Sequence, residues 1–187
     1  MKAALAAAFW LAGPCRLFAA LCGVMLFVLA GVIVYDVIGR RMFDTGSILL
    51  QELEWHLHGA IAVLAFGYAY LKDAHVRIDV FAQKWSGRMR LRIEIFAIFV
   101  FLVPFMIFLA YHGYWFAERA FVRGEGSTGA LGLPERWIIK SAVPVSAVLA
   151  ICGGLAVALR AIVALRRPDL LSDPFERDKD AADTPYA

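Results

Sequence analysis

The sequence predicts an all-α integral membrane protein: a bundle of four transmembrane helices with an amphipathic connector on the cytoplasmic side. Three observations support this class. The chain is 61% hydrophobic with a mean hydropathy of +0.69, which is too apolar for a soluble globule. Its apolar residues form separate stretches of about the 20 residues needed to cross a membrane. Backbone polar groups must be satisfied inside lipid, and barrel strands would be about half as long, so each stretch is expected to be a helix.

The predicted spans are residues 17–38, 53–71, 93–116 and 137–165, within a transmembrane domain of residues 17–167. Pro134 and Trp137 mark the start of the fourth helix, because proline suits a first turn and tryptophan suits the membrane interface. Residues 1–16 are interpreted as a retained cytoplasmic segment, since Pro14 stands where a lipoprotein cleavage box needs a small residue. Residues 168–187 are polar and rich in aspartate, which predicts a disordered cytoplasmic tail.

The distribution of cations predicts the orientation. Thirteen of the 19 Lys and Arg residues lie at the two ends of the chain or between the second and third spans. Cytoplasmic loops carry the excess of Lys and Arg. Both termini are therefore expected in the cytoplasm of a bacterial cell, with a multi-pass chain in its inner membrane. The loops at residues 39–52 and 117–136 are then expected to face the periplasm.

The connector at residues 75–92 interleaves apolar and basic residues, with Trp85 among them. Such a segment can lie flat on the inner leaflet, held by arginine attraction to anionic headgroups and by tryptophan anchoring. A solvated connector explains the same composition equally well. Both interpretations stay open at this stage.

Ionisable residues in the spans gather near the predicted outer interface. Glu52 with His56 and Glu54 with His58 are spaced so that a helix places each carboxylate beside an imidazole. A proton-handling or cation site would use such pairs, but an interfacial polar cap, pairing with Arg40 or Arg41 or with another subunit, is the simpler interpretation.

Enzymatic and cofactor functions find little support in the sequence. No serine or cysteine stands in a nucleophile elbow, and the glycine-rich residues 124–132 lack the lysine of a phosphate-binding loop. The three cysteines predict neither a disulfide framework nor a metal site. We therefore expect no enzyme, no cofactor and no nucleic-acid partner.

Two other functions are known for small helical membrane proteins of this kind. A haem-binding four-helix redox protein is the alternative, because His58 and His112 lie on predicted spans and membrane cytochromes hold haem between such histidines. A two-haem arrangement needs a second pair, however, and His75 is predicted on the opposite side. A homo-oligomeric channel is the third candidate, and the scarcity of polar residues in the spans argues against it.

The order of short motifs resembles a known family. Residues 36–43 (DVIGRRMF) leave the first span, residues 51–56 (QELEWH) enter the second, and residues 74–80 (AHVRIDV) leave it. Their combination on four spans resembles the DctQ-like small membrane subunit of tripartite ATP-independent periplasmic (TRAP) transporters, over roughly residues 17–165. Residues 126–127 and 132–140 further resemble a subgroup associated with 2-oxo acids, mannitol or chloroaromatic compounds, although residues 128–131 depart from its pattern.

The resemblance implies a role in secondary, ion-driven uptake of organic acids such as 2-oxo acids or dicarboxylates, with sodium as the expected ion. The implied partners are a large multi-spanning membrane subunit, for which this chain acts as a scaffold, and a periplasmic binding protein. The residues expected to form the outer partner contact are Arg40, Glu52, Glu54 and Arg123. The residues expected to anchor the inner face are His75, Arg77, Asp79, Trp85 and Arg88.

Overall fold

The computed structural model describes residues 1–75, 85–127 and 132–176. Within these ranges the chain is helical, with connecting segments and no strand, which confirms the all-α prediction. The elements, in chain order, are α1 (Lys2–Met42), α2 (Ile48–Leu64), α3 (Phe66–Leu71), α4 (Gly87–Ala97), a π-helical turn (Ile98–Leu102), α5 (Val103–Val122) and α6 (Trp137–Arg166).

Three of the described helical segments are long and apolar enough to cross a membrane. They are Lys2–Met42 with 41 residues, Gly87–Val122 with 36 and Trp137–Arg166 with 30. The first begins well before the predicted span, because the alanine-rich residues after Met1 favour helix strongly. The segment expected to precede the first span is therefore a continuous part of α1.

The second predicted span consists of two helices rather than one. The 17-residue α2 ends at Leu64, and the six-residue α3 begins at Phe66. Between them, the Ala65 N–H is shared between the carbonyl oxygens of Ile61 and Val63, a bifurcated arrangement common at helix termini. Neither helix alone has the length of a span.

The third segment contains an irregular turn beside a proline. Pro104 has no N–H to donate and its ring crowds the preceding turn. Directly before it lies the π-helical turn Ile98–Leu102, in which the Val103 N–H reaches the Ile98 carbonyl five residues back. A π-turn is one of the ways in which a helix accommodates such a disruption, so the segment continues to Val122.

The chain divides into two compact units. The first unit comprises Met1–Arg16, Phe66–Ile107 and Val148–Ala187, and the second comprises Leu17–Ala65 and Phe108–Ala147. α1, the helical segment from Gly87 to Val122 and α6 each contribute residues to both units.

The first unit is built on a close crossing of α3 and α6. A Cβ atom on Gly67 would lie 2.7 Å from the Leu149 carbonyl carbon, and one on Gly153 would lie 2.5 Å from the Gly67 carbonyl oxygen. The two backbones therefore touch where only glycine fits. Around this crossing, Leu71 and Val157 are fully buried.

The second unit also relies on small residues. Ala60, Ala117 and Ala142 are buried in its interior. At Gly113 an added Cβ would lie 3.1 Å from Cδ of Pro144, so α5 and α6 pack closely there.

Residues 168–176, the described part of the predicted disordered tail, make contacts within the first unit. Pro174 is buried, and the Glu176 N–H donates to the Leu71 carbonyl at 2.7 Å. Although this segment is polar in composition, these contacts hold it against other segments of the first unit. Residues 177–187 lie outside the described residues, as do residues 76–84, which form half of the predicted amphipathic connector at residues 75–92.

Candidate functional site

Glu52, predicted to contact a partner, is engaged with its own chain in the second unit. Its Oε1 accepts a hydrogen bond from the Ser127 hydroxyl, and its Oε2 accepts one from the Leu133 N–H at 2.7 Å. The Ser127 N–H also donates to the Leu133 carbonyl at 3.1 Å. One carboxylate from α2 thus bridges both sides of the loop that joins α5 to α6.

A second set of bonds closes the same loop nearer its helices. The Arg136 N–H donates to the Glu125 carbonyl at 3.0 Å, and Lys140 Nζ lies 2.6 Å from Glu125 Oε2. The Lys140 ammonium also lies 4.2 Å from the centre of the Phe116 ring, within cation–π range. We call Glu125, Ser127, Leu133 and Arg136 the loop neck.

Hydrogen bonding lowers the pKa of both carboxyls at the neck. The Ser127 hydroxyl and then the Leu133 N–H stabilise ionised Glu52 and hold its pKa below the ordinary value. The Lys140 ammonium does the same for Glu125. Both side chains are therefore carboxylates at neutral pH, and neither is poised to exchange a proton there.

The other three predicted outer residues are not brought into contact with Glu52. Arg40 pairs with Asp36, one turn earlier on α1, whose side chain is fully buried. In the part of the chain that the structure describes, the buried Glu54 Oε1 has no hydrogen-bond partner. Arg123 is exposed at the end of α5. The structure therefore contains no single cluster of these four residues.

The histidines predicted to face carboxylates do not form those pairs. The His56 Nδ1–H donates to the backbone carbonyl of Glu52, not to its carboxylate. His58 is exposed, and the His112 ring packs against the Phe108 ring with centres 4.2 Å apart and planes tilted by 54°. Among the described residues no group of three His, Cys, Asp or Glu side chains is arranged to hold a metal ion.

Three of the five predicted inner residues lie in the described part of the first unit. The His75 ring lies 6.0 Å from the Tyr70 ring. Trp85 and Arg88 line a cleft of about 610 Å³ together with residues of α4 and the tail. Arg77 and Asp79 fall outside the described residues.

A cluster that the sequence analysis missed lies in the first unit. Glu176 accepts hydrogen bonds from Arg16 of α1 and from Arg160 of α6. Burial alone would raise the pKa of the Glu176 carboxyl, but the two guanidinium groups outweigh it and the pKa is lowered. No sequence signal pointed to this cluster, because a single glutamate in a polar tail has no periodic pattern.

The second unit has an apolar cleft beside the loop neck. It measures about 480 Å³ and is lined almost entirely by hydrophobic side chains from α1, α2 and α6, such as Phe18, Leu57 and Ile138. Its composition suits an acyl chain or an apolar side chain rather than a charged solute.

The most extensive feature of the described surface is exposed apolar area. Phe27 of α1 is 83% exposed, Trp10 76% and Tyr35 70%. Only 11% of the most apolar 18-residue stretch of α1 is buried. Exposed patches of this extent mark contact with a membrane or with another protein. The helices therefore offer apolar surfaces for lipid or for another protein, while the polar contacts described above lie within the chain itself.

Comparison with known proteins agrees with these features. Residues 29–167 match the family model described as Tripartite ATP-independent periplasmic transporters, DctQ component. No curated protein matches the sequence. The match runs from the middle of α1 to the residue after α6, and so includes the loop neck and both glycines of the α3–α6 crossing. The chain therefore belongs to the DctQ family, the small membrane components of tripartite ATP-independent periplasmic transporters.

Proposed function

We propose that this protein is the small permease subunit of a secondary, ion-driven uptake system for organic acids, acting as a scaffold for a large membrane subunit. The observation that carries the proposal is the family match over residues 29–167. The exposed apolar face of α1 is consistent with it, because such a face can pack against another membrane protein as well as against lipid.

The proposed topology has four spans, the second formed by α2 and α3 together. The proposed span, residues 53–71 of these two helices, is interrupted only at Ala65 and provides enough length for a crossing despite the break. An even number of crossings places both termini on one side, and the cation distribution makes that side the cytoplasm of a bacterial inner membrane. Reporter fusions at residues 45 and 187 test this topology: a periplasmic signal from residue 187 would contradict it.

The substrates proposed are 2-oxo acids or dicarboxylates, and the proposed ion is sodium. The 2-oxo acids rest on the resemblance of residues 126–127 and 132–140 to one subgroup of the family, and the dicarboxylates and sodium rest on the resemblance to the family as a whole. Sodium-dependent uptake of a labelled 2-oxo acid by vesicles containing all three components tests both assignments.

The outer contact with the binding protein is proposed to involve Arg123, Arg40, Glu52 and Glu54. Arg123 is exposed and available for a direct contact. Glu52 and Arg40 already bind their own chain, so their proposed contribution is to hold the surface that the binding protein meets. The inner face is proposed to be anchored by His75, Arg77, Asp79, Trp85 and Arg88.

Co-purification is the direct test of the scaffold function. The tagged chain is extracted from its native membrane in mild detergent, and the co-purifying proteins are identified by mass spectrometry. A large multi-spanning protein recovered in equal amount is the expected result. Recovery of this chain alone would contradict the proposal, and a Soret band in that material would favour the haem-binding alternative.

A charge reversal tests the proposed docking contact separately. Arg123→Glu is expected to raise the binding-protein concentration needed for half-maximal uptake several-fold, because rim charges act mainly on association. Recovery of the large subunit should not change. Arg92→Glu, an exposed cation of α4, is the matched control. Unchanged uptake by Arg123→Glu would rule out a docking contribution from this residue.

A further inference from the structure

The described part of the C-terminal tail makes specific contacts with three helices of the first unit. Residues 168–176, which we call the C-terminal strap, end at Glu176. The Glu176 N–H binds the Leu71 carbonyl at the end of α3, and its carboxylate binds Arg16 of α1 and Arg160 of α6. A single residue thus joins three helices that are distant in sequence.

The two arginines share one carboxylate. Arg16 Nε lies 3.1 Å from Glu176 Oε2, while Nη2 groups of both Arg16 and Arg160 bind Oε1. Both guanidinium groups therefore lie side by side, with one negative charge between them. Without that charge, two like charges would face each other at short range.

Among the described residues, neither Arg16 nor Arg160 forms an ion pair with a second carboxylate. A guanidinium keeps its proton at any physiological pH, so neither side chain can become neutral. The Arg160 side chain is 15% exposed and the Glu176 side chain 19%, so water screens their pair poorly, while the Arg16 side chain is 36% exposed and better screened. α1 and α6 are both helices of membrane-spanning length, and uncompensated charge on such helices is costly.

Further contacts fix the strap before Glu176. Pro174 is buried, and the Phe175 ring lies 6.5 Å from the Tyr70 ring of α3. The Phe175 N–H donates to Asp173 Oδ1 at 2.9 Å, which turns the chain toward α3. Tyr70 in turn donates its hydroxyl to Glu94 of α4, so the strap is linked to a fourth helix.

We propose that the C-terminal strap supplies the counter-ion for an arginine pair on α1 and α6, and that it locks the helices of the first unit together. Arg16 and Glu176 both lie outside the region that matches the family, residues 29–167. The strap is therefore a feature of this chain beyond the matched family region, and it does not depend on the proposed transport function.

The first test compares melting temperatures of the purified full-length chain in mild detergent. Glu176→Gln removes the charge while keeping the shape of the side chain, and it is expected to lower the melting temperature by about 4 °C or more. Asp169→Asn is the matched control, because Asp169 belongs to the same tail but pairs with Arg167 on the exposed surface. Equal melting temperatures for the two variants would overturn the proposal.

The second test uses a change of sign. In the wild-type chain, Arg160→Gln removes a favourable ion pair and should lower the melting temperature. In the Glu176→Gln background, the same substitution removes a repulsive charge and should raise it. A residue that merely fills space would shift both backgrounds in the same direction, and that outcome would contradict the counter-ion role.

A measurement on the wild-type chain covers the case in which Glu176 variants do not accumulate. Hydrogen exchange followed by mass spectrometry reports whether the Glu176 N–H is bonded to Leu71. We expect the strap peptide to exchange at least about tenfold more slowly than an unstructured peptide, because a bonded amide exchanges only when the contact opens. Exchange at the unstructured rate would show that the strap is open and would overturn the proposal.

Discussion

The carboxylate of Glu52 and the backbone N–H of Leu133 are joined by a hydrogen bond of 2.7 Å, although the two residues are 81 positions apart. This bond and the one from Ser127 connect α2 to both sides of the loop neck. A glutamate that the sequence identified as a partner contact therefore orders a loop of its own chain. Any contribution of Glu52 to docking therefore comes from holding this loop in place.

Removing the Glu52 carboxylate is expected to loosen the loop neck. Glu52→Ala leaves the Leu133 N–H and the Ser127 hydroxyl without this acceptor, so amide exchange at Leu133 should accelerate about tenfold, as expected for one lost hydrogen bond. Hydrogen exchange with mass spectrometry measures the effect. Gln51→Ala, at the neighbouring position of α2, is the control, and equal exchange in both variants would show that Glu52 does not order the loop.

The loop neck should also respond to acid in a defined direction. The pKa of Glu52 is lowered from its ordinary value of 4.5, so the folded state favours the ionised form. Its contribution is therefore fully present above that value and is lost as the pH falls through the lower folded pKa. We expect the chemically corrected protection of Leu133 to stay constant from pH 7 to about pH 5 and to fall below about pH 4. A decline already complete at pH 5.5 would contradict the lowered pKa.

Alanine at the α3–α6 crossing is expected to be severely destabilising. A Cβ on Gly67 or Gly153 would meet backbone atoms, which cannot move aside as a flexible side chain can. Each substitution should cost more than about 3 kcal/mol, measured by melting in detergent or seen as loss of folded protein. Gly59→Ala is the control, since nothing lies within 4 Å of its added Cβ and it should be neutral or slightly stabilising. Normal stability of Gly67→Ala would show that the helices do not cross this closely.

Arg40 is expected to matter more than its neighbour Arg41. Arg40→Ala leaves the buried carboxylate of Asp36 without its partner, whereas Arg41 is exposed and has no ion pair within the described residues. Because Arg40 is itself 44% exposed, we expect a loss of about 2 kcal/mol, less than for a fully buried pair. Thermal melting of the two alanine variants tests this difference. Equal losses would mean that the Arg40–Asp36 pair contributes nothing specific.

Much of the helical structure was predictable because it depends on local composition. The long apolar stretches identified the three helices that are able to cross a membrane, and the proline at position 104 coincides with an irregular turn. The break at Ala65 was not predictable, since no glycine or proline occupies that position. The extension of α1 to Lys2 was also not predicted, because crossing a membrane requires only about 20 apolar residues and α1 is longer than that.

The candidate sites were less predictable than the helices. Spacing along a helix suggested that Glu52 faces His56, but both carboxylate oxygens bind residues of a distant loop instead. The Leu133 N–H and the Ser127 hydroxyl of that loop each donate a hydrogen bond to the carboxylate. His56 instead donates to the backbone carbonyl of Glu52. The cluster of Arg16, Arg160 and Glu176 was not predictable, because the polar composition of the tail predicts disorder and not contacts with the helices.

By itself, the sequence determined that this protein is helical and apolar and that it carries the ordered motifs of its family. These properties are local, because hydrophobic length and short motifs require no knowledge of which residues meet. Only the tertiary structure decided that Glu52 holds the loop neck and that Glu176 lies between two arginines. The contact of Glu52 with Ser127 joins residues 75 positions apart, and that of Glu176 with Arg16 joins residues 160 positions apart. A charged side chain takes its partner from whatever the fold brings within about 3 Å.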